Sequence, residues 1–125
     1  MLGEARFHAT LPAQDLERAR RFYSEQLGLE PSEEAEGGLW YDGAGGTRFL
    51  LFPTSGAPSG SHTQLGFNVS DIEATVAELK SRGVAFKEYD YPTLRTVDGI
   101  ATTAAGRAAW FEDSEGNLLG VVELG

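Results

Sequence analysis

The chain has 125 residues, 41% of them apolar, no cysteine and a formal net charge of −9. This length predicts one domain with one hydrophobic core. The acidic balance argues against nucleic acid or an anionic membrane as a partner, and the lack of cysteine excludes disulfides and thiolate metal sites. No signal peptide or membrane-spanning apolar run is recognisable, so we expect a cytoplasmic protein.

The first predicted unit, module one, covers about residues 4–53. Its first strand alternates apolar and polar residues around His8, which predicts one face towards helices and the other towards solvent or a ligand. Asp15 is a good N-cap for the helix that follows, and Gly28 is placed to end that helix. The segment "LWYDGAGGTRFLLF" (39–52) reads as a strand, a glycine-rich turn and a second strand.

A linker of small and turn-forming residues, about 53–61, precedes module two, about 62–125. Asp71 and Gln64 of module two match Asp15 and His8 at an offset of 56, since 71 − 15 and 64 − 8 agree. "AWFEDSEGNLLGVV" (109–122) repeats the strand, turn and strand. Two βαβββ modules therefore predict an α+β domain with a mixed sheet curved into a cup and helices outside.

The segment 88–107, "EYDYPTLRTVDGIATTAAGR", has no counterpart of similar length in module one. So long a connection in a compact domain is typical of a lid, a binding loop or disorder. As a lid, it would place Tyr91 and Arg95 against a ligand, with Arg95 suited to an anion. Trp110, mirrored by Trp40, is expected either to wall the pocket against a flat ligand or to pack in the core.

Strand parity predicts a set of residues that line the cup with apolar surface and a few polar groups, as in small-molecule sites. Gly66 and Gly120 leave room on that face. His8 is the candidate for substrate contact or proton transfer, and a structural strand histidine is the alternative. The same set would also suit packing within the chain or across a dimer contact. The predicted cup residues are His8, Thr10, Phe49, Leu51, Gln64, Gly66, Asn68, Leu118, Gly120 and Val122.

"DLERARRFYSEQLGL" (15–29) together with "DSEGNLLGVVE" (113–123) resembles the vicinal oxygen chelate superfamily, which includes glyoxalase I, extradiol dioxygenases and bleomycin-binding resistance proteins. The chain is most similar to small bacterial proteins of the glyoxalase/bleomycin-resistance type. The resemblance implies the two-module cup and a homodimer. In the enzymes of this family it also implies one divalent metal (Zn, Ni, Mn or Fe), held by a His or Gln from the first strand and usually a Glu from the last strand of each module.

The resemblance places the first two metal ligands on His8 and Gln64, and the other two on or beside Leu51 and on Gly120. Neither of the last two positions offers a donor. An imidazole and an amide supply no charge to offset the dehydration of a hard divalent ion. Substitutes from Glu112, His62 or a partner chain would be needed, because Glu123 has the opposite strand parity to Gly120.

We therefore expect a glyoxalase/bleomycin-resistance-like protein that binds a small amphipathic molecule in the cup without a catalytic metal or other cofactor. The alternative is a metal-dependent lyase, isomerase or dioxygenase that uses His8 and Gln64 with a non-standard carboxylate. A third reading is metal-free acid–base catalysis by His8 on a bound carbonyl compound.

Overall fold

The computed structural model describes residues 1–124; Gly125, which the sequence assigned to module two, lies outside the described residues. Module one forms a four-stranded sheet in the order β1-β4-β3-β2, with β1 parallel to β4. Its elements are β1 (Ala9–Ala13), α1 (Leu16–Glu25), β2 (Glu33–Ala35), β3 (Gly38–Asp42) and β4 (Arg48–Pro53).

Module two repeats this plan in a six-stranded sheet, ordered β5-β10-β9-β8-β7-β6, with β5 parallel to β10. The predicted α+β fold of two repeated modules is confirmed, although hydrogen bonding divides the strands into two sheets. Within residues 1–124 no helix is long and apolar enough to cross a membrane. The elements are β5 (Leu65–Asn68), α2 (Ile72–Ser81), β6 (Asp90–Tyr91), β7 (Leu94–Val97), β8 (Ile100–Thr103), β9 (Gly106–Glu112) and β10 (Leu118–Leu124).

Both helices begin and end where the sequence predicts. Asp15 and Asp71 each accept a hydrogen bond from the backbone N–H three residues later, at 3.0 and 3.1 Å. Such caps satisfy donors that the first turn of a helix leaves free. Gly28 and Gly83 follow the helices with φ of +70° and +92°, the left-handed conformation in which glycine ends a helix at little cost.

The helices cover one face of each sheet and build a hydrophobic core that both modules share. Phe49 of β4 and Phe67 of β5 meet edge to face, with ring centroids 6.5 Å apart, where the two modules join. Each module alone would leave an apolar sheet face exposed, so the core couples their folding. Its fully buried large side chains include Leu11, Tyr23, Tyr41, Leu51, Ile72, Phe111 and Leu119.

The predicted orientation of β4 was wrong. The register pairs Leu11 with Leu51 and Ala9 with Phe49, so these residues share the helix-facing side of the sheet, and Leu51 is fully buried there. Leu50 instead lies beside Thr10 on the open face, which we call the cup face. "FLLF" is apolar throughout, so the run itself contains no alternation from which its orientation could be read.

Segment 88–107 is not a lid or a disordered loop; it extends the second sheet as β6, β7 and β8. Asp98 and Gly99 connect β7 to β8 with φ of +53° and +84°. This two-residue turn with both φ values positive matches the twist of an antiparallel hairpin, and Asp-Gly favours it. The β-branched residues on either side of Asp-Gly are a hairpin signal. A prediction from segment length alone does not take this signal into account.

The turn between β9 and β10, residues 113–117, ties module two to module one. The Asp113 carboxylate accepts the Tyr23 hydroxyl of α1 at 2.7 Å and the Asn117 side-chain amide at 2.8 Å. Asn117 also donates to the Pro12 carbonyl of β1 at 3.0 Å. Asp113 and Asn117 are buried, and burial next to a carboxylate raises the pKa of Tyr23 well above its usual value. The phenol therefore stays protonated and donates.

Glu115 in the same turn binds the start of α1. Its carboxylate accepts Arg18 Nε at 2.7 Å and the Asp15 backbone N–H at 2.9 Å. The hydrogen bond from Arg18 is the main cause that lowers the pKa of Glu115 to about 2. Arg18 reads from sequence as part of a solvated helix face, and only the tertiary structure shows that it meets a carboxylate 97 residues away.

We expect Glu115→Gln to destabilise the fold by about 1–3 kcal/mol, because the buried carboxylate and its charge-assisted hydrogen bonds to half-exposed Arg18 are lost. Because the folded pKa lies below the unfolded value of 4.5, this stabilisation is present above about pH 4.5 and disappears as pH falls towards 2. The difference between wild type and variant should shrink over that range in urea melts. Glu25→Gln, at an exposed site on α1, is the control; equal stability of both variants would contradict the role given to Glu115.

Candidate functional site

On the cup face of module two, an indole occupies the space beside a glycine. Trp110 of β9 pairs in register with Gly120 of β10. A Cβ added to Gly120 would lie 3.3 Å from Trp110 Cδ1 and 3.4 Å from Thr63 Cγ2. Trp110 Nε1 donates to Thr63 Oγ1 at 3.0 Å, which orients the ring. Gly120 therefore makes room for the indole.

Two tyrosines extend this aromatic surface. Tyr89 meets Trp110 edge to face with ring centroids 5.7 Å apart, and Tyr91 lies 6.1 Å from Tyr89. Tyr91 is 58% exposed. The result is a row of three aromatic rings that starts at the middle of β9 and ends in solvent at β6, where it offers flat apolar surface with two hydroxyl groups.

Module one carries a second aromatic surface at the matching position. The His8 ring meets Trp40 edge to face at 4.8 Å between centroids, and the Arg48 guanidinium lies 4.3 Å from the Trp40 ring centroid. A cation above an indole is a favourable electrostatic contact. Arg48 Nε also binds Asp42 Oδ1 at 2.9 Å, and Glu33 Oε1 lies 3.8 Å from Arg48 NH2. The guanidinium is thus held in place by two carboxylates and an indole.

The two cup faces meet where β1 and β5 approach each other. Gln64 Nε2 donates to the Thr10 carbonyl at 3.4 Å, so both predicted residues lie at this junction. The register places Gly66 beside Gly120 and Asn68 beside Val122, on the face that the parity argument assigned to them. Their predicted contact with a ligand remains a prediction.

Three polar candidates lie elsewhere. Arg95 lies on the helix-facing side of β7, where it lines a groove against α2 and pairs with Asp90 at 3.3 Å. The placement of Arg95 over the cup was therefore wrong, because segment 88–107 forms strands with alternating faces. His62 Nδ1 contacts Ser59 Oγ at 2.8 Å in the linker. Glu112 pairs with Lys87 at 3.4 Å.

The residues at the family's metal positions do not suit a divalent ion. His8 packs on Trp40, and the Gln64 amide donates to the backbone. Leu50, which takes the place expected for Leu51, and Gly120 offer no side-chain donor, and the indole of Trp110 lies beside Gly120. Among residues 1–124 no three His, Asp or Glu side chains cluster closely enough to hold a metal. The two neutral donors lack the anionic oxygen that a hard cation requires.

Residues 6–121 match the model of the Glyoxalase/Bleomycin resistance protein/Dioxygenase superfamily. The chain belongs to this superfamily. No match was found among curated protein sequences.

Solved structures of the superfamily share the fold over nearly the whole chain. TnmS3, an antibiotic-binding protein from Streptomyces sp. CB03234, is 24% identical, with a TM-score of 0.66 and 98% of each chain covered. A glyoxalase/bleomycin resistance protein from the same organism is 28% identical, with a TM-score of 0.64 and coverage of 91% of this chain and 96% of that one. The E126Q mutant of the fosfomycin resistance protein FosX from Listeria monocytogenes, solved with Mn(II) and 1S,2S-dihydroxypropylphosphonic acid, is 15% identical, with a TM-score of 0.70 and coverage of 98% and 93%.

The fit between Gly120 and Trp110 leads to a mutational test. Gly120→Val should displace the indole, break its hydrogen bond to Thr63 and cost about 1–3 kcal/mol. Gly66→Val is the matched control, since a Cβ at Gly66 meets no atom within 4 Å and valine favours strands. Urea melts give the stability, and tryptophan emission in a Trp40→Phe background reports Trp110. Equal behaviour of the two variants would contradict the packing described here.

Proposed function

We propose that this chain binds a small amphipathic molecule with a flat aromatic body on the cup face, without a catalytic metal. The observation that carries this proposal is the pair of tryptophans, one in each module, that the fold leaves only partly buried. Trp40 and Trp110 keep part of their surface in solvent although a core with buried Tyr23, Tyr41 and Phe111 is available. Exposed aromatic surface near a few oriented polar groups is typical of small-molecule sites.

Superfamily membership supports the same reading. One structural neighbour is an antibiotic-binding protein, and binding of that kind requires surface complementarity and no reactive centre. Antibiotic-like aromatic molecules are therefore the ligand class to examine first. The tyrosines beyond Trp110 extend the contact area, while Gln64 and Thr10 offer hydrogen bonds at the junction of the sheets.

We also propose that the protein works as a homodimer. In one chain the cup faces remain open, and apolar side chains at the N-terminus are exposed, including Leu2 at 79% and Phe7 at 81%. A second copy would cover such surface, and burial of apolar area favours association. Light scattering during size-exclusion chromatography should give about twice the monomer mass; a monomer at micromolar concentration would refute this part.

Ligand binding is tested by titrating flat aromatic antibiotics while tryptophan emission and the melting temperature are followed. A true ligand should raise the melting temperature. Trp40→Ala and Trp110→Ala should each weaken binding at least about tenfold, because buried aromatic anchors dominate such affinities, and Trp110→Phe should retain part of it. Arg21→Ala, on the exposed face of α1, is the control. Unchanged affinity in both alanine variants would exclude the cup face as the site.

Metal independence is tested on protein purified without an affinity tag. We expect less than 0.1 metal ion per chain as an order of magnitude, and no change in ligand affinity or melting temperature with EDTA, because a neutral donor pair binds divalent ions weakly. About one ion per chain that is lost in His8→Ala, together with a lower melting temperature in EDTA, would favour the enzyme reading instead.

A further inference from the structure

A cleft between the two modules includes neither tryptophan in its lining, although His8 and Arg48, which contact Trp40, lie in its wall. It has a volume of about 640 Å³ and lies where the end of β1 near His8 faces the end of β5 near Asn68. The turn between β3 and β4, residues 43–47, forms one of its walls. Its apolar lining includes Leu29, Phe49 and Phe67.

The internal repeat explains why this cleft is open. Trp40 and Trp110 correspond at an offset of 70, and so do the turns 43–47 and 113–117, since 110 − 40 and 117 − 47 agree. In module two the turn carries Asp113, Glu115 and Asn117, whose side chains are buried against α1 and β1.

In module one the matching positions are Gly43, Gly45 and Thr47. Two of these have no side chain, and Thr47 Oγ1 donates within its own turn to the Ala44 carbonyl at 2.7 Å. The first turn therefore contributes only the small side chains of Ala44 and Thr47 to the wall of the cleft. Beside turn 43–47 the space between the modules is therefore left open as the cleft.

The polar groups around the cleft indicate which molecules would suit it. His8 and Asn68 are exposed at its edge, and both can donate or accept hydrogen bonds. Tyr41 also lines the cleft, and its buried hydroxyl has no hydrogen-bond partner among residues 1–124. This hydroxyl is covered by the protein, so His8 and Asn68 are the polar groups that the cleft presents to a ligand. Burial raises the pKa of Tyr41 to about 12, which keeps it protonated.

Charge around the cleft disfavours an anion. The only cationic side chain among the lining residues is Arg48, and it already contacts the carboxylates of Asp42 and Glu33 at 2.9 and 3.8 Å. Arg48 is therefore not a free cation for an anionic ligand. The Arg6 guanidinium lies near Gly46 of the turn, but the whole chain carries −9. A carboxylate ligand would meet repulsion, whereas an amide or a ketone would not.

We propose that the cleft bounded by the glycine-rich turn 43–47 is a second binding site, which takes a neutral, flat aromatic molecule bearing an amide or carbonyl group. The aromatic body would lie against Phe49 and Phe67, and the polar group would bond His8 or Asn68. In this arrangement the ligand occupies the space that the polar side chains of turn 113–117 fill at the other end of the repeat.

Two probes that differ only in charge test the proposal: 2-naphthamide, which is neutral, and 2-naphthoate, which is anionic at pH 7. Amide cross-peaks of glycines in ¹H–¹⁵N spectra report location, with Gly43, Gly45 and Gly46 marking the cleft and Gly120 marking the cup face. We expect 2-naphthamide to shift the first group and to bind about fivefold more tightly than 2-naphthoate, owing to repulsion of the carboxylate.

Variants locate the site independently. Asn68→Trp should fill the cleft and lower the affinity for 2-naphthamide at least tenfold, whereas Glu25→Trp adds the same ring at an exposed site on α1 and should change nothing. Trp110→Ala should leave the cleft shifts intact, which separates this site from the aromatic surface around Trp110. The proposal is overturned if the shifts are confined to Gly120, if 2-naphthoate binds as well as 2-naphthamide, or if Asn68→Trp binds like the wild type with an unchanged melting temperature.

Discussion

The arrangement of the two modules depends on the buried turn 113–117. Within residues 1–124 no pair of hydrogen-bonded strands links the two sheets, so their relative orientation requires other directional contacts. Asp113 provides them by accepting from Tyr23 and from Asn117, which itself binds the Pro12 carbonyl. Apolar burial holds the modules together but is non-directional. Buried hydrogen bonds set the geometry, since a shifted module would break the bonds from Tyr23 to Asp113 and from Asn117 to Pro12 and leave buried polar groups unpaired, at about 1–3 kcal/mol each.

On the cup face, an indole lies beside the position where the family resemblance implies the last carboxylate. Gly120 is at that position, and Trp110 Cδ1 lies 3.3 Å from where a Cβ of residue 120 would be. A longer side chain there would require the indole to shift. In module one Leu50 lies beside Trp40 in register, so each module pairs an indole with a residue whose side chain has no metal-binding atom.

Features that depend on neighbouring residues were predictable from the sequence, whereas features that depend on tertiary contacts were not. The caps at Asp15 and Asp71 and the repeat itself depend on neighbouring residues, and the structure confirms them. The orientation of β4 was not readable, because Phe49 and Leu51 sit in an uninterrupted apolar run whose register is set by β1. The pairing of Arg18 with Glu115 joins residues far apart in the chain. Asp98-Gly99 with its β-branched neighbours is a local hairpin signal. The length of segment 88–107 predicted a lid or loop instead, and that prediction was wrong.

Because the βαβββ unit is repeated, the boundary between the modules has two equivalent ends, one beside turn 43–47 and one beside turn 113–117. The side chains of each turn determine whether the space at that end is filled. With Asp113, Glu115 and Asn117 the turn of module two binds α1 and β1 and closes its end. The turn around Gly43 and Gly45 brings only the small side chains of Ala44 and Thr47, so the equivalent space opens to solvent. The hydrogen bonds of turn 113–117 already orient the modules. Side chains of turn 43–47 are therefore not needed for that purpose. The fold can therefore keep an intermodule cleft without losing the contacts that align its sheets.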